Sequence, residues 1–591
     1  MKRDLTETRR RFMAHFTSIG LGTTLVPGIL WARMQDAGAQ KVTLAMVTDS
    51  LKMAGVELNE ADRNAVVTAA NTSLTNYEKL HTLKIAKDVS PPFSFNPIVP
   101  GMEVNKTRQP FRISAAPAVK RPANLEEVAF WPVRHLAELV RTKQVTSVEL
   151  TQMYLARLHR YNGKLNNTVT FLDELGLAQA KQADAEIAAN KYKGPLHGIP
   201  WGAKDIISVK GYKTTWGSGA YKDQVFDYDA SVVEMLRDAG AVLIAKLTTG
   251  ELAGGDNWFG GQTKSPWDPT QGSSGSSAGP GSATSAGCVG FSIGTETSGS
   301  ILGPSSRNGL AGLRPTFGRI SRYGVMALSW TQDRLGPMCR YAEDCALVMQ
   351  AISKPDGRDL SVSELPFNWN AQLDIKRLRV GYIKESFDEL TDKTTKANAQ
   401  KLLDTLTSLG ISKFVPLTIP EFPYEVQSHG VESAVFFDEL VRSGRVSQMT
   451  SATRGAQFKN NRVTPAVEYL QSQRARMMMM MKLSEATAGV DVYLVASAGG
   501  GGGGGARGGE RGGAPATPPP PQTATQRHSG FANYACYPAL NIMTGLNDAG
   551  MPTNVTFFAR PFGEDKLLAL GKAYQDTAQH HMKLHPTKME A

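Results

Sequence analysis

Between Gln271 and Gly318 the chain reads QGSSGSSAGPGSATSAGCVGFSIGTETSGSILGPSSRNGLAGLRPTFG, and this stretch restricts the possible folds more than any other. A run so dense in Gly and Ser would ordinarily be a flexible linker. Here an apolar segment from Ala286 to Ile293 interrupts the small residues, a buried-strand pattern that linkers lack. A second glycine-bounded turn follows, around Ser300. Glycine lets backbone N–H groups approach a ligand closely, and serine supplies hydroxyls. Those are the components of a nucleophile with an adjoining oxyanion site.

The flanking pattern alternates helix and strand. Thr146-Ser147-Val148-Glu149 fits a capping box, and Leu150, Met153, Tyr154 and Leu158 recur at helical spacing. An Ala-rich pattern over 175–189 predicts another helix. Residues 194–205 read as a turn feeding a short, mostly apolar strand that carries a lone lysine, Lys204. Residues 229–239 read as a helix closed by Gly240, with a strand over 241–245. A strand over 377–383 and a helix over 395–409 continue the order. The fold class expected is α/β, a mixed central β-sheet covered by helices on both faces.

Outside that unit, residues 1–39 read as an export signal. Thr8-Arg9-Arg10-Arg11-Phe12-Met13 resembles a twin-arginine signal, a weakly apolar stretch runs from Met13 to Trp31, and Ala37-Gly38-Ala39 offers a small-residue cleavage site. This predicts a periplasmic or extracellular protein with no stable membrane span after signal removal. Residues 40–127 read as an accessory segment: a small N-terminal helical extension over 42–54 and 60–83, with Asn59 as N-cap, then a proline-rich extended arm. Residues 128–591 form the main domain. Within it, 498–525 reads as a disordered Gly/Pro-rich surface loop. Met477 to Met481 reads as part of a helix packed on the core, or as a flexible wall of a substrate pocket. The tail over 567–583 reads as a terminal helix, with His580 and His581 solvated rather than metal-binding.

The net charge is +11; residues 1–39 carry six basic and three acidic side chains, so +8 remains beyond them. Spread that thinly, without a compact Lys/Arg cluster, the surplus implies no nucleic-acid partner. Four cysteines (Cys288, Cys339, Cys345, Cys536) are few and unsuitably spaced for a metal site or a disulfide framework. No cofactor is implied, and the subunit count is left open.

Ser300 needs a base, because serine is a poor nucleophile at its free pKa. His197, in a Gly-Pro-Leu-His-Gly turn, reads as structural. Lys204 is the candidate base, provided burial or nearby positive charge keeps it neutral; taken alone it reads as an ordinary surface lysine.

These motifs together resemble the amidase signature family of serine hydrolases. The family uses a Ser–cis-Ser–Lys triad on an α/β fold. Ser300 matches the nucleophile of its Gly-Thr-Asp-x-Gly-Gly-Ser-Ile motif, and Lys204 the lysine of Gly-Ile-Pro-x-x-x-Lys-Asp. Gly272 to Gly279 holds two Ser-Ser pairs. Ser276 lies 24 residues before Ser300, the family's spacing, and is preferred to Ser273 as the bridging residue. The resemblance extends over residues 130–585, through Gly312 to Arg319, Asp333 to Pro337, Tyr537 to Leu540 and Gly550 to Pro552. It implies hydrolysis of a small-molecule or peptide amide through an acyl-enzyme. Backbone N–H groups of Thr297, Ser298 and Gly299, on to Ser300, would hold the oxyanion. The chain departs from the pattern at Glu296 (mostly Asp), Ser298 (Gly) and Leu302 (Arg). The rival readings are the glutamine-hydrolysing A subunit of a tRNA-dependent amidotransferase and a non-catalytic binding protein on the same scaffold.

Overall fold

A computed structural model of the chain describes residues 42–53, 57–82, 95–422, 426, 429–462, 464–497 and 522–590. The signal over 1–39 lies outside the described residues, as does the Gly/Pro-rich loop up to residue 521. Its last residues, 522–525, lead into a helix, Ala524–Tyr534, with Thr523 forming a capping box with Gln526.

Eleven strands make one mixed sheet. In chain order they are β1 (Thr168–Phe171), β2 (Pro200–Lys204), β3 (Val242–Leu247), β4 (Phe291–Glu296), β5 (Ala311–Arg314) and β6 (Arg334–Cys339). The second half supplies β7 (Val380–Tyr382), β8 (Phe414–Pro416), β9 (Val492–Ala496), β10 (Ala539–Leu546) and β11 (Pro552–Ala559). Their spatial order is β1-β3-β2-β4-β6-β5-β10-β11-β9-β7-β8. β2 is parallel to both β3 and β4, whereas β6 is antiparallel to β4.

Helices cover both faces, as alternate side chains of β10 demonstrate. Leu540 and Ile542 pack on Gly571 of helix Glu564–Ala578. Met543 packs instead on Gly309, which ends helix Leu302–Asn308, and Asn541 donates to the Leu310 carbonyl. β2, β3 and β4 are buried along their whole length, including Lys204, Lys246 and Glu296.

Local signals act as expected from their chemistry. Thr146 caps helix Ser147–Leu165 with Glu149 reaching back. Asn59 Oδ1 accepts the Asp62 N–H at the start of helix Glu60–Thr82. Gly240, at φ +80°, follows helix Ser231–Asp238 and turns the chain into β3. The terminal helix is shorter than expected: it ends at Ala578, where Gln579 adopts φ 57°, and a separate turn His580–Lys583 follows. The proline-rich arm lies along the main domain. Ser114 donates through N and Oγ to Glu343, and the Gln109 N–H donates to Asn368.

All four cysteines are free and buried. Of the methionine run, Met479 and Met480 are buried beside Leu483, while Met477, Met478 and Met481 are exposed. No group of metal-binding side chains and no membrane-crossing helix occurs among the described residues.

Candidate active site

Parallel pairing of β2 with β4, Ala203 opposite Ile293, makes their carboxyl ends leave the sheet at one edge. Crevices at that edge are where open α/β sheets bind ligands. Lys204 ends β2, and Glu296 ends β4 just before the Ser300 turn.

The Lys204 amine is fully buried and donates to Ser276 Oγ at 2.8 Å and to Thr295 Oγ1 at 2.8 Å. Both partners are uncharged. Loss of water penalises the ammonium form, so burial pushes the Lys204 pKa down to about 7 against the pull of Asp333 and Glu296. Near neutral pH this amine is therefore available as a base.

Ser276 follows a cis peptide bond from Gly275, and its carbonyl accepts the Gly250 N–H at 3.2 Å. Ser277 ties the two loops together. Its N–H donates to the Ser300 carbonyl at 3.1 Å, and its Oγ donates to the Thr295 carbonyl at 3.0 Å. Ser300, half-buried, has no hydrogen bond from its hydroxyl to a described residue. The Ser273 hydroxyl points elsewhere, donating to the Ala278 carbonyl at 3.0 Å. Of the two serines weighed for the bridge, Ser276 is the one in contact with the lysine.

The N–H groups of Thr297, Ser298, Gly299 and Ser300 meet no acceptor among the described residues. Gly299 sits at φ +80°, where a Cβ would be strained. The turn is clamped at both ends. Beyond it, Glu296 Oε2 accepts the N–H groups of Ile301 at 2.8 Å and Leu302 at 2.9 Å, while Oε1 receives Arg314 Nη1 at 2.8 Å. Burial alone would raise the Glu296 pKa, but Arg314 and Arg334 outweigh it and hold the carboxyl ionised below its ordinary value. Glu296 thus braces the far end of the turn.

At the near end, the Thr297 carbonyl receives Arg334 Nη2 at 2.7 Å and Gln332 Nε2 at 3.0 Å, and Thr297 Oγ1 donates to Asp333 Oδ1 at 2.6 Å. Because a peptide is planar, fixing that carbonyl also fixes the direction of the Ser298 N–H. Sequence reasoning did not assign roles to Gln332, Asp333 or Arg334. The antiparallel register that sets Arg334 opposite Glu296 brings them here.

A cavity of about 860 Å³, open mouth included, reaches Thr295 and Thr297. Its walls are aromatic, with Trp216, Phe226, Tyr228, Tyr323, Trp330 and Phe436. None of Met477 to Met481 lines it. His197 lies apart from the site, buried, with Nδ1 accepting the Lys193 N–H at 3.1 Å and Glu186 3.0 Å from Nε2. His581 stacks on Tyr341.

Known proteins share this arrangement of chain. The amidase family model matches residues 149–568. The A subunit of the glutamyl-tRNA(Gln) amidotransferase of Geobacter metallireducens is 31% identical over 484 residues, covering 76% of this chain and 98% of that subunit. The protein named "Putative amidase AmiD" in Mycobacterium tuberculosis is 32% identical over 477 residues, covering 79% and 98%. The crystal structure of native peptide amidase from Stenotrophomonas maltophilia superposes with a TM-score of 0.65 at 24% identity, covering 76% of this chain and 98% of that one.

Proposed function

The chain belongs to the amidase family, and on that premise we propose that it hydrolyses a carbon–nitrogen amide bond to a carboxylate plus ammonia or an amine. One observation carries the reading: a fully buried lysine, pushed down to about 7, hydrogen-bonded at 2.8 Å to Ser276 beside the Ser300 turn. Uncharged Lys204 takes the Ser276 hydroxyl proton as Ser276 takes that of Ser300. Ser300 Oγ then attacks the amide carbonyl carbon. The N–H groups from Thr297 to Ser300 receive the developing oxyanion; one such donor lowers a barrier by about 3 kcal/mol. The C–N bond breaks as the proton returns through Ser276 to the leaving nitrogen, leaving an ester on Ser300. Water, deprotonated along the same path, attacks that ester; the carboxylate departs and Ser300 regains its proton.

A fluorophosphonate probe tests this. The native protein is expected to label at Ser300 and Ser300→Ala to stay unlabelled; absence of labelling in the native protein would favour a non-catalytic scaffold. The likeness to the amidotransferase subunit supports a second reading, glutamine hydrolysis serving transamidation. Ammonia release from glutamine, compared with release from aryl and peptide amides, separates the two.

We also propose export through the twin-arginine route, on the order of charged, apolar and small residues before Gln40. Replacing Arg9, Arg10 and Arg11 by lysine is expected to leave the protein in the cytoplasmic fraction. Unchanged export would rule the signal out.

A further inference from the structure

Three arginines line the aromatic cavity, and they differ in what they pair with. Arg322 Nε lies 2.9 Å from Asp359, and its guanidinium stacks over Phe317. Arg358 pairs with Glu234 and lies over Tyr323. Arg334 forms no ion pair among the described residues. It is only 2% exposed, one of its nitrogens holds the Thr297 carbonyl, and Nε and Nη1 have no acceptor among the described residues.

A buried guanidinium left with unpaired donors is costly, and it is paired or bound to an acceptor when the molecule is at work. The two nearest carboxylates are already engaged. Glu296 holds Arg314 and two backbone N–H groups, and Asp333 accepts Thr297 Oγ1 and the N–H groups of Leu328 and Ser329. Among the lining arginines, Arg322 is matched by Asp359 and Arg358 by Glu234, so Arg334 is the one whose guanidinium keeps unpaired donors. Flat aromatic walls select a planar or apolar body, and a forked cation with free N–H groups selects a carboxylate.

We propose that this cavity is a substrate subsite for an aromatic group bearing a carboxylate, with Arg334 as its anion-recognising residue. The inference deepens the amide-hydrolase reading and rests on it. The substrate class is an amide whose aromatic portion carries a second, acidic function. The remaining Arg334 nitrogen holds Thr297, so occupancy of the subsite and the setting of the oxyanion turn share one side chain.

Equilibrium binding tests it without requiring turnover. Titration calorimetry on the full chain with 3-phenylpropanoate and with 3-phenylpropan-1-ol compares a carboxylate with a neutral group on the same body. The acid is expected to bind about tenfold more tightly. Arg334→Met is expected to abolish that preference while leaving the alcohol's affinity unchanged, and Arg334→Lys to retain it in part. Equal binding, tighter binding of the alcohol, binding of neither, or a preference that survives Arg334→Met each overturns the proposal. If Arg334→Met does not fold, the native ratio and the lysine variant still decide. Probe labelling of Ser300 without a carboxylate preference defeats this inference alone. The preference without labelling defeats the hydrolase reading.

Discussion

Lys204 and Lys246 stand on neighbouring strands, with Ala203 of β2 opposite Lys246 of β3, and both are fully buried. Burial lowers both pKa values, yet their partners differ in kind. Lys246 donates to Asp205 Oδ1 at 2.9 Å and to Thr214 Oγ1 at 2.8 Å, and Asp205 in turn accepts Thr215. Lys204 meets only the hydroxyls of Ser276 and Thr295 and, at 3.4 Å, a carbonyl. A carboxylate partner opposes that lowering and ties the lysine in place as a strut. Hydroxyl partners leave the amine free to gain and lose a proton.

The sharpest way to break this contrast is Lys204→Met. Amide hydrolysis is expected to fall about 10,000-fold, as for other catalytic triads stripped of a member. Calorimetric unfolding should show a protein at least as stable as the native one, since no charge is orphaned. Lys246→Met should do the opposite. It leaves Asp205 buried without its cation and is expected to cost roughly 3–5 kcal/mol of stability, read as a lowered Tm. Activity per folded molecule should persist. A large loss of turnover in Lys246→Met at unchanged Tm would mean the two lysines share the chemistry.

That pair also marks where the sequence could be read and where it could not. Ser300 was legible from its glycine-framed turn after an apolar run, whereas Lys204 read alone as a surface lysine and took its role from the family resemblance. Helix Ala278–Ser285 was not anticipated. Every one of its residues is buried, so it has no polar face and no 3.6-residue alternation to detect. Asp333 and Arg334 were visible as a motif but silent as to role, and Gln332 was not singled out, because their job depends on the β4–β6 register. The aromatic cavity is assembled from segments near 216, 226, 323, 330 and 436, whose convergence no local pattern announces.

pH offers a gentler probe of the lysine contrast. Lys204 is active when uncharged, so kcat/KM is expected to rise with pH through about 7 and to fall about tenfold per unit well below it. The acid limb belongs to Lys204 if Lys246→Met leaves its midpoint in place. A profile flat between pH 5 and 8 would mean that the amine does not titrate in the working enzyme.

The smallest effect expected is that of Gln332→Leu. One of two donors on the Thr297 carbonyl is lost while Arg334 remains, so kcat should drop about fivefold, near 1 kcal/mol, with KM little changed. A change confined to KM would assign Gln332 to substrate contact instead of to the setting of the turn.

Strand order has a consequence for how the molecule is made. β10 and β11 are the last strands to leave the ribosome, yet they occupy the middle of the sheet, between β5 and β9. Without β10 and β11, the edges of β5 and β9 that they cover would be left unpaired and open to foreign strands. Protection of those two edges thus waits on the last two of the eleven strands in chain order.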